Sequence, residues 1–353
     1  MSVDSRAIHF RLENPAEHDR REAADREWEQ RKARRTDSTL FLEAIPLVVQ
    51  AEFGVWSKDD LAPLFAAVGW PIEEEPVSFR KGRTAGIESE TISISLRASK
   101  TEQYLDPDRW GFGEYSRVWM TQRLAANVVD DAYRAALAIC VELLGPPPLV
   151  GGPDARAIWR DNDTTVLLTR DLGSSISLAV FPTEPHEGRE HWEWNWSDWT
   201  AAECWLVAPD AEGTRYGFPT WGYPEPLATS WPSLDDYIDA LFLSLAADLP
   251  VLHPYATWVI WVITVADDPD AGFLQGWFSP HDARMEYRHS ADADLTTVNY
   301  PAGVAAGRSI AEVVKSELRA LGVPSPDRLT LSAWSSPEPQ QIHTIRLGLE
   351  GSG

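Results

Sequence analysis

In both halves of this chain of 353 residues, several neighbouring strand patterns are separated only by turn residues. In the first half, residues 157–169, with a turn at Asp161–Asp163, are followed by a second pattern over residues 175–181. The second half has such patterns at residues 257–265, 272–279, 284–289, 328–334 and 341–349. Strands joined by short turns pair antiparallel, because a parallel pair needs a crossover of a dozen or more residues. The spacing therefore predicts antiparallel sheets in both halves.

Helical patterns flank the strands of the first half. Ser57, with Asp60 three residues further on, is typical of a helix start, and Gly69 is typical of a helix end. A second helical pattern runs from about Ala125 to Leu144 and stops at a glycine followed by three prolines.

Two further helices are predicted in the second half. Ser233 begins one that Pro250 ends, and Ser309 with Glu312 forms a capping-box pattern for another that stops at Gly322. Both halves thus show helices placed before and among strands. We predict an α+β fold of two similar domains, each a mostly antiparallel sheet with helices packed on one face.

The length of the chain favours two domains of ordinary size. Residues 1–36 are polar on every face and predict a charged arm or helix, and residues 183–232 are rich in tryptophan and proline. The latter segment is too apolar for a disordered linker, which predicts a packed connector. We therefore expect α+β domains at residues 37–182 and 233–353.

The charge of the chain is strongly negative and unevenly placed. Residues 1–36 are about neutral, whereas the formal net charge of the whole chain is −23. From Tyr216 to Asp282 no Lys or Arg occurs, but nine acids do: Glu225, Asp235, Asp236, Asp239, Asp248, Asp267, Asp268, Asp270 and Asp282. Such a surface would repel nucleic acid and anionic lipid and attract a basic protein. The alternative is that the acidity serves only solubility.

The remaining composition predicts a cytoplasmic protein. The longest apolar run, residues 257–265, is about half of what a helix needs to cross a bilayer, and charged residues stand where a secretory signal needs an apolar stretch. Cys140 and Cys204 are the two cysteines, and both lie in apolar patterns typical of buried thiols. We expect no disulfide framework.

A cluster of histidine and glutamate at residues 186–191 is the strongest metal candidate. His186 and His191 are five residues apart, whereas a zinc-peptidase helix needs histidines four apart with a glutamate after the first. No glycine-rich phosphate loop or nucleophile elbow stands out elsewhere. We therefore predict no metal, no cofactor and no catalytic residues.

Tryptophan is unusually frequent, with 17 residues. In residues 191–197, Trp192, Trp194 and Trp196 alternate with polar residues, so on a strand they would share one face. Such a ladder is a platform for a carbohydrate or small molecule, a hot spot for binding another protein, or part of the core of a sheet or of the contact between the domains. These interpretations remain open from the sequence.

Four short motifs lie in the first half: LFAAVGWPI at residues 64–72, LLGPPP at 143–148, AIWRD at 157–161 and TVLLTR at 165–170. With these motifs, residues 55–182 resemble a family of uncharacterised actinobacterial domains. The resemblance implies no catalytic residue.

The C-terminal third has strand hairpins, a predicted turn at Tyr300-Pro301, and the helix over Ser309–Gly322 that leads into a strand with Trp334. In this pattern it resembles the first-described immunity family of bacterial polymorphic toxin systems. The resemblance implies a protein that neutralises a toxin by binding it.

Charge and resemblance together favour an immunity- or antitoxin-like protein that binds a basic toxin domain. The predicted partner-binding residues are Trp221, Trp231, Asp235, Asp239, Asp267, Asp268 and Asp270. The alternative is a small-molecule or carbohydrate-binding protein or enzyme that uses the tryptophan-rich segment.

Overall fold

The computed structural model describes residues 36–69, 94–100, 111, 113–171, 175–188, 205–207, 230–266, 268, 270–336 and 340–343. The predicted arm over residues 1–36, apart from its last residue, and most of the predicted connector lie outside these residues. The connector residues that are described are 183–188, which form a short helix, strand residues 205–207, and residues 230–232.

Five longer helices are described: α1 Thr39–Val49, α2 Lys58–Val68, α3 Val129–Leu144, α4 Trp231–Leu252 and α5 Val304–Ala320. The strands of the first half are β1 Ile94–Lys100, β2 Tyr115–Arg123, β3 Leu149–Gly152, β4 Arg156–Arg160, β5 Thr164–Asp171 and β6 Ser175–Pro182. The connector contributes β7 Trp205–Val207. The strands of the second half are β8 Trp258–Val265, β9 Ala271–Phe278, β10 Asp282–Ser290, β11 Thr296–Pro301, β12 Leu329–Ser336 and β13 Gln340–His343.

The described strands form one antiparallel sheet in the order β1-β2-β6-β5-β4-β3-β7-β13-β12-β8-β9-β10-β11. Each half supplies six neighbouring strands, and the three-residue strand β7 joins them by pairing with β3 on one side and β13 on the other. The prediction of an α+β fold with two similar, antiparallel sheet units is confirmed.

The strand register shows which face the helices cover. Met120, Leu178, Leu168, Ala157 and Val150 lie opposite one another across the first half, and Val150 is opposite Val207 of β7. In the second half the same kind of row runs through Ala333, Trp261, Gly276, Met285 and Val298. The row residues from Met120 to Val207, together with Ala333, Trp261 and Met285, belong to a single core that also contains α1 to α5 residues. Helices α1 to α5 therefore form one layer on one face of the sheet.

The two halves differ in the order of their elements along the chain. In the first half the meander β3-β4-β5-β6 follows α3, whereas in the second half the meander β8-β9-β10-β11 precedes α5. The architecture is therefore shared between the halves, but the connectivity is not.

Helix starts are predicted with mixed success. Ser57 and Asp60 form the expected capping box, and Gly69 ends α2 in the left-handed conformation. Helix α4 begins earlier than predicted, because Ser230 and not Ser233 is the N-cap; Ser233 lies at the N3 position and completes the box. Helix α5 begins after Gly303, so that Ser309 is an interior residue of the helix.

Two other sequence predictions concern single residues. Tyr300 and Pro301 end strand β11 and do not form a separate turn, since both pair with β10. Cys140 is fully buried in α3, as predicted, and its burial raises the pKa of the thiol to about 12. Cys204 lies outside the described residues.

Among the described helices, none is both long enough and apolar enough to cross a membrane.

Candidate functional site

A cleft of about 1090 Å³ opens at one end of the first-half sheet. Its described lining comes from residues 49–56 after α1, the β4–β5 turn at residues 161–164, residues 182–185 at the end of β6, and Gly111 and Gly113. Antiparallel pairing brings two of these segments together, because Thr164 at the start of β5 lies opposite Pro182 at the end of β6.

The loop between α1 and α2 is anchored by aromatic side chains. Phe53 and Trp56 stack with ring centroids 4.6 Å apart, and both are buried in the core. Tyr115 N, at the start of β2, donates to Trp56 O at 3.0 Å. The loop therefore reaches the cleft with its backbone held by the sheet.

Asp60 holds the other end of this loop. Its Oδ2 accepts hydrogen bonds from Ser57 N, Ser57 Oγ and Val55 N at 3.0, 2.7 and 3.1 Å. These bonds, those from Ser57 first, lower the pKa of the Asp60 carboxyl below its usual range. With Phe53 and Trp56 buried, the side chain of Val55 points outward and is 76% exposed.

The opposite wall is built by the β4–β5 turn. Asp161 Oδ1 accepts from Asp163 N and Thr164 N at 2.7 and 2.6 Å, which closes the turn. Thr183 N donates to Asp163 O at 3.1 Å, and the hydroxyls of Thr165 and Thr183 lie 3.0 Å apart. The turn is therefore tied to the end of β6.

The described part of the cleft lining is acidic. Its described lining has four carboxylates, those of Glu52, Asp161, Asp163 and Glu184, and no Lys or Arg. Asp161 accepts hydrogen bonds within its own turn. The side chains of the other three are exposed and make no hydrogen bond or ion pair with described residues. A wall with negative charge and an exposed Val55 suits ammonium or guanidinium groups flanked by apolar side chains.

The histidine and glutamate cluster lies beside this cleft. His186 stacks on Phe181 with centroids 4.0 Å apart, and Glu187 lies 3.7 Å from Arg160 Nη1. His191 lies outside the described residues. Among the side chains that the structure describes, no group of three His, Cys, Asp or Glu is arranged to hold a metal ion.

Two of the predicted partner-binding aspartates are in ion pairs with α5. Arg319 Nη2 lies 2.6 Å from Asp235 Oδ2, and Lys315 Nζ lies 2.8 Å from Asp239 Oδ1. Arg319 also lies over the ring of Trp231, 5.1 Å from its centroid. The structure thus brings Trp231, Asp235 and Asp239 together, with bases beside them.

The other predicted residues are more scattered. Asp268 accepts hydrogen bonds from Asp270 N and Ala271 N in the β8–β9 turn, at 3.2 and 3.1 Å. Asp270 is exposed beside it. The remaining predicted residues lie outside the described part of the chain: Trp192, Trp194, Trp196, Trp221 and Asp267. Their roles stay predictions.

Asp248, part of the acidic stretch in the sequence, is fully buried between the two halves and does not belong to the surface. Its Oδ1 accepts from Arg170 Nη2 of β5 at 2.6 Å and from Ala155 N at 3.0 Å. Its Oδ2 accepts from Ser244 Oγ at 2.6 Å, and Trp205 Nε1 of β7 donates to Ser244 Oγ at 2.8 Å. Burial raises the pKa of the Asp248 carboxyl, and these hydrogen bonds oppose that rise.

The cleft was not predictable from local sequence patterns. The turn at Asp161–Asp163 was predicted, but nothing local indicated that it meets residues 50–56, more than a hundred positions earlier. The one available signal was the presence of acids in three turn-like segments, and that signal is common on surfaces.

No protein-family model and no curated protein matches the chain. Among solved structures, the chain is weakly similar to the beta chain of DNA polymerase III from Streptococcus pneumoniae, with 15% identity and a TM-score of 0.11. The match covers 58% of this chain and 57% of that chain, which is less than two thirds of its length. A likeness this weak carries no argument about fold or function.

Proposed function

We propose that this protein is a cytoplasmic immunity- or antitoxin-like protein that neutralises a basic toxin domain by binding it, and that a basic loop of that domain enters the acidic cleft. The observation that carries the proposal is the described lining of the cleft. It has four carboxylates, three of them without partners among the described residues, and no base.

Two physical effects support binding of a basic partner at this place. The formal net charge of −23 attracts a cationic protein over long distances and so raises the rate of encounter. The anchored loop presents Val55 in a fixed position, so that little conformational entropy is lost when a partner packs against it. By contrast, Asp235 and Asp239 already have bases beside them, which weakens the attraction of that surface for a cation.

The first experiment captures the partner from native lysate with the full chain, identifies it, and measures binding kinetics with the purified partner. The cleft variant combines Glu52→Gln, Asp163→Asn and Glu184→Gln. We expect its association rate to fall about tenfold, because local electrostatic steering is lost. We also expect expression of the partner alone to arrest bacterial growth and the wild-type chain to restore it.

A matched control separates the cleft from general acidity. Asp236→Asn, Asp270→Asn and Asp292→Asn neutralise three exposed carboxylates of the second half and change the net charge equally. We expect this variant to bind almost as fast as the wild type. Loss of binding in the control alone would move the interface to the second-half surface, and a partner without toxicity would contradict the proposed function.

A second candidate function is favoured by the size of the cleft. Its volume of about 1090 Å³ is similar to that of ligand pockets, which typically measure roughly 300–1,000 Å³. A carbohydrate or small-molecule binder using the tryptophan-rich segment would bind its ligand equally well at low and physiological salt. Two results together would favour this candidate. The wild-type chain would bind an oligosaccharide of a test panel, and Trp192→Ala, Trp194→Ala and Trp196→Ala would abolish that binding. Expression of the chain would also leave the sensitivity of the bacteria to the toxin unchanged.

A further inference from the structure

One face of the second-half sheet carries none of the helices that the structure describes. On that face, β8 and β9 place Trp258, Ile260, Val262, Phe273 and Trp277, all at alternate positions to the buried residues of the same strands. None of the five belongs to the core shared with the helices. Trp258 is 42% exposed, and its ring centroid lies 5.9 Å from that of Trp277.

The helices of this half lie on the opposite face. Phe242 of α4 packs on Trp261 and Phe278, with ring centroids 4.9 and 5.6 Å apart, and Gly307 of α5 lies against the backbone of Phe242. We call the helix-free side of β12, β8, β9, β10 and β11 the open face. Of its aromatic side chains, Trp258 is exposed, and Phe273 and Trp277 are half-buried.

Charged side chains lie flat on the open face. Arg284 stacks over Trp277 at 5.0 Å from the ring centroid, and Arg288 stacks over Phe273 at 4.9 Å. Glu286 pairs with Arg284 and accepts a hydrogen bond from Gln275 Nε2 at 2.7 Å. Because these side chains are already ordered, little entropy is lost when the face is covered.

The charges alternate along β10. Asp282, Arg284, Glu286 and Arg288 share the open face in the order acid, base, acid, base. A two-fold rotation reverses this order, so that in a second copy of the strand each base faces an acid of the first. Elsewhere a second copy is repelled by the net charge of −23, whereas this face is balanced.

The face is large enough for a dimer contact. Five strands spaced about 4.8 Å apart, with about eight residues of roughly 3.4 Å each, cover on the order of 650 Å² in projection. Side-chain relief increases the accessible area, which brings it near the roughly 800 Å² per partner of a standard interface. A contact of this kind also packs two sheets face to face, as in β-sandwiches.

From charge order, area and aromatic content we propose that two copies of this chain associate through the open face as a two-fold symmetric dimer. Arg284 of each copy lies opposite Glu286 of the other, and Trp258 is an apolar anchor at one end of the contact. The dimer is independent of the proposed toxin binding, which uses the cleft of the first half.

The test is sedimentation of the full chain and of charge variants at matched concentrations. Arg284→Glu and Glu286→Arg should each be monomeric, because like charges then meet across the two-fold axis. An equimolar mixture of the two should dimerise, because each altered residue then faces an opposite charge. This rescue cannot arise within one chain. Trp258→Ala should weaken the dimer by at least about tenfold, as expected of an aromatic anchor.

Salt dependence gives a second readout. Two copies with a net charge of −23 repel each other, so moderate salt should strengthen the dimer by screening, whereas binding of a basic toxin should weaken. A wild-type chain that stays monomeric at about 100 μM, in a range where weak interfaces already associate, would overturn the proposal. So would a mixture that stays monomeric, or a dimer that Trp258→Ala leaves unchanged. None of these results would affect the cleft.

Discussion

Three carboxylates of α4 and two carboxylates of the cleft are the same chemical groups in opposite situations. Asp235, Asp239 and Asp248 are each paired with a base that is 76 to 84 residues away in the chain. Glu52 and Glu184 in the cleft have no partner among the described residues. A stretch without Lys or Arg is therefore not necessarily an unpaired acidic surface, because the fold supplies bases from elsewhere.

Within α4, the same residue type is also used in two ways. Asp248 at the C-terminal end is buried and ties β5, β7 and the β3–β4 connection to the second half, while Asp235 and Asp239 near the N-terminal end remain partly exposed. Burial determines how much stability is lost when one partner of an ion pair is removed, because a buried charge that loses its partner cannot be solvated by water.

The largest effect is expected at the buried pair. Asp248→Ala leaves the Arg170 guanidinium with the more exposed Asp130, 3.0 Å away, and leaves Ala155 N without its acceptor. We expect a loss of about 3–5 kcal/mol in the free energy of unfolding, measured by urea denaturation. Asp236→Ala, an exposed position on the same helix, is the control and should change stability by less than about 0.5 kcal/mol. Equal effects at the two positions would contradict the distinction between buried and exposed acids.

The next largest effect on stability is expected from a steric change in the same hydrogen-bond network. A Cβ at Gly152 would lie 2.6 Å from Trp205 Nε1 and closer still to Ser244 Oγ and Asp248 Oδ2. We expect Gly152→Ala to cost about 1–3 kcal/mol of stability by overpacking. In a Ser244→Ala background the added cost should be smaller, since one of the crowding atoms is gone. Strict additivity of the two substitutions in thermal melts would show that the Ser244 hydroxyl does not cause the overpacking at position 152.

The distance along the chain between interacting residues determines what the sequence could predict and what it could not. The capping box at Ser57 and Asp60 and the turn at Asp161–Asp163 were predictable, because each depends on residues within three or four positions of one another. The pairing of Asp248 with Arg170 joins residues 78 positions apart, and no local pattern indicates it. Strand β7 is only three residues long, which is too short for a period-two pattern.

The same reasoning applies to the candidate site. Asp235 and Asp239 were predicted to bind a partner because no base is near them in the sequence, whereas helix packing brings Arg319 and Lys315 of α5 to them. The cleft, in turn, depends on the convergence of three loops. The strongest candidate for an acidic binding surface therefore lies in the first half of the structure, whereas the sequence predicted it in the second half.

A smaller effect is expected at the exposed pairs of α4. A double-mutant cycle with Asp239→Asn and Lys315→Met should give a coupling of about 0.2–1 kcal/mol, because water and salt screen the pair, in which Asp239 is 42% exposed. The coupling should fall as the salt concentration rises. A coupling as large as that between Asp248 and Arg170, or one insensitive to salt, would remove the contrast between the two ends of the helix.

The smallest effect on stability is expected at the cleft, and there it is most informative. Glu52→Gln, Asp163→Asn and Glu184→Gln remove charges that make no described interaction, so each should change the free energy of unfolding by no more than about 0.5 kcal/mol. Together they also reduce self-repulsion in a chain with a net charge of −23, which favours a slight gain. The measurement is urea denaturation of the triple variant beside the kinetics with the purified partner. A stable variant that binds slowly would separate recognition from folding, as the comparison with α4 requires. A clear loss of stability would mean that these carboxylates are structural, like Asp248. It would contradict the assignment of the cleft as the binding site.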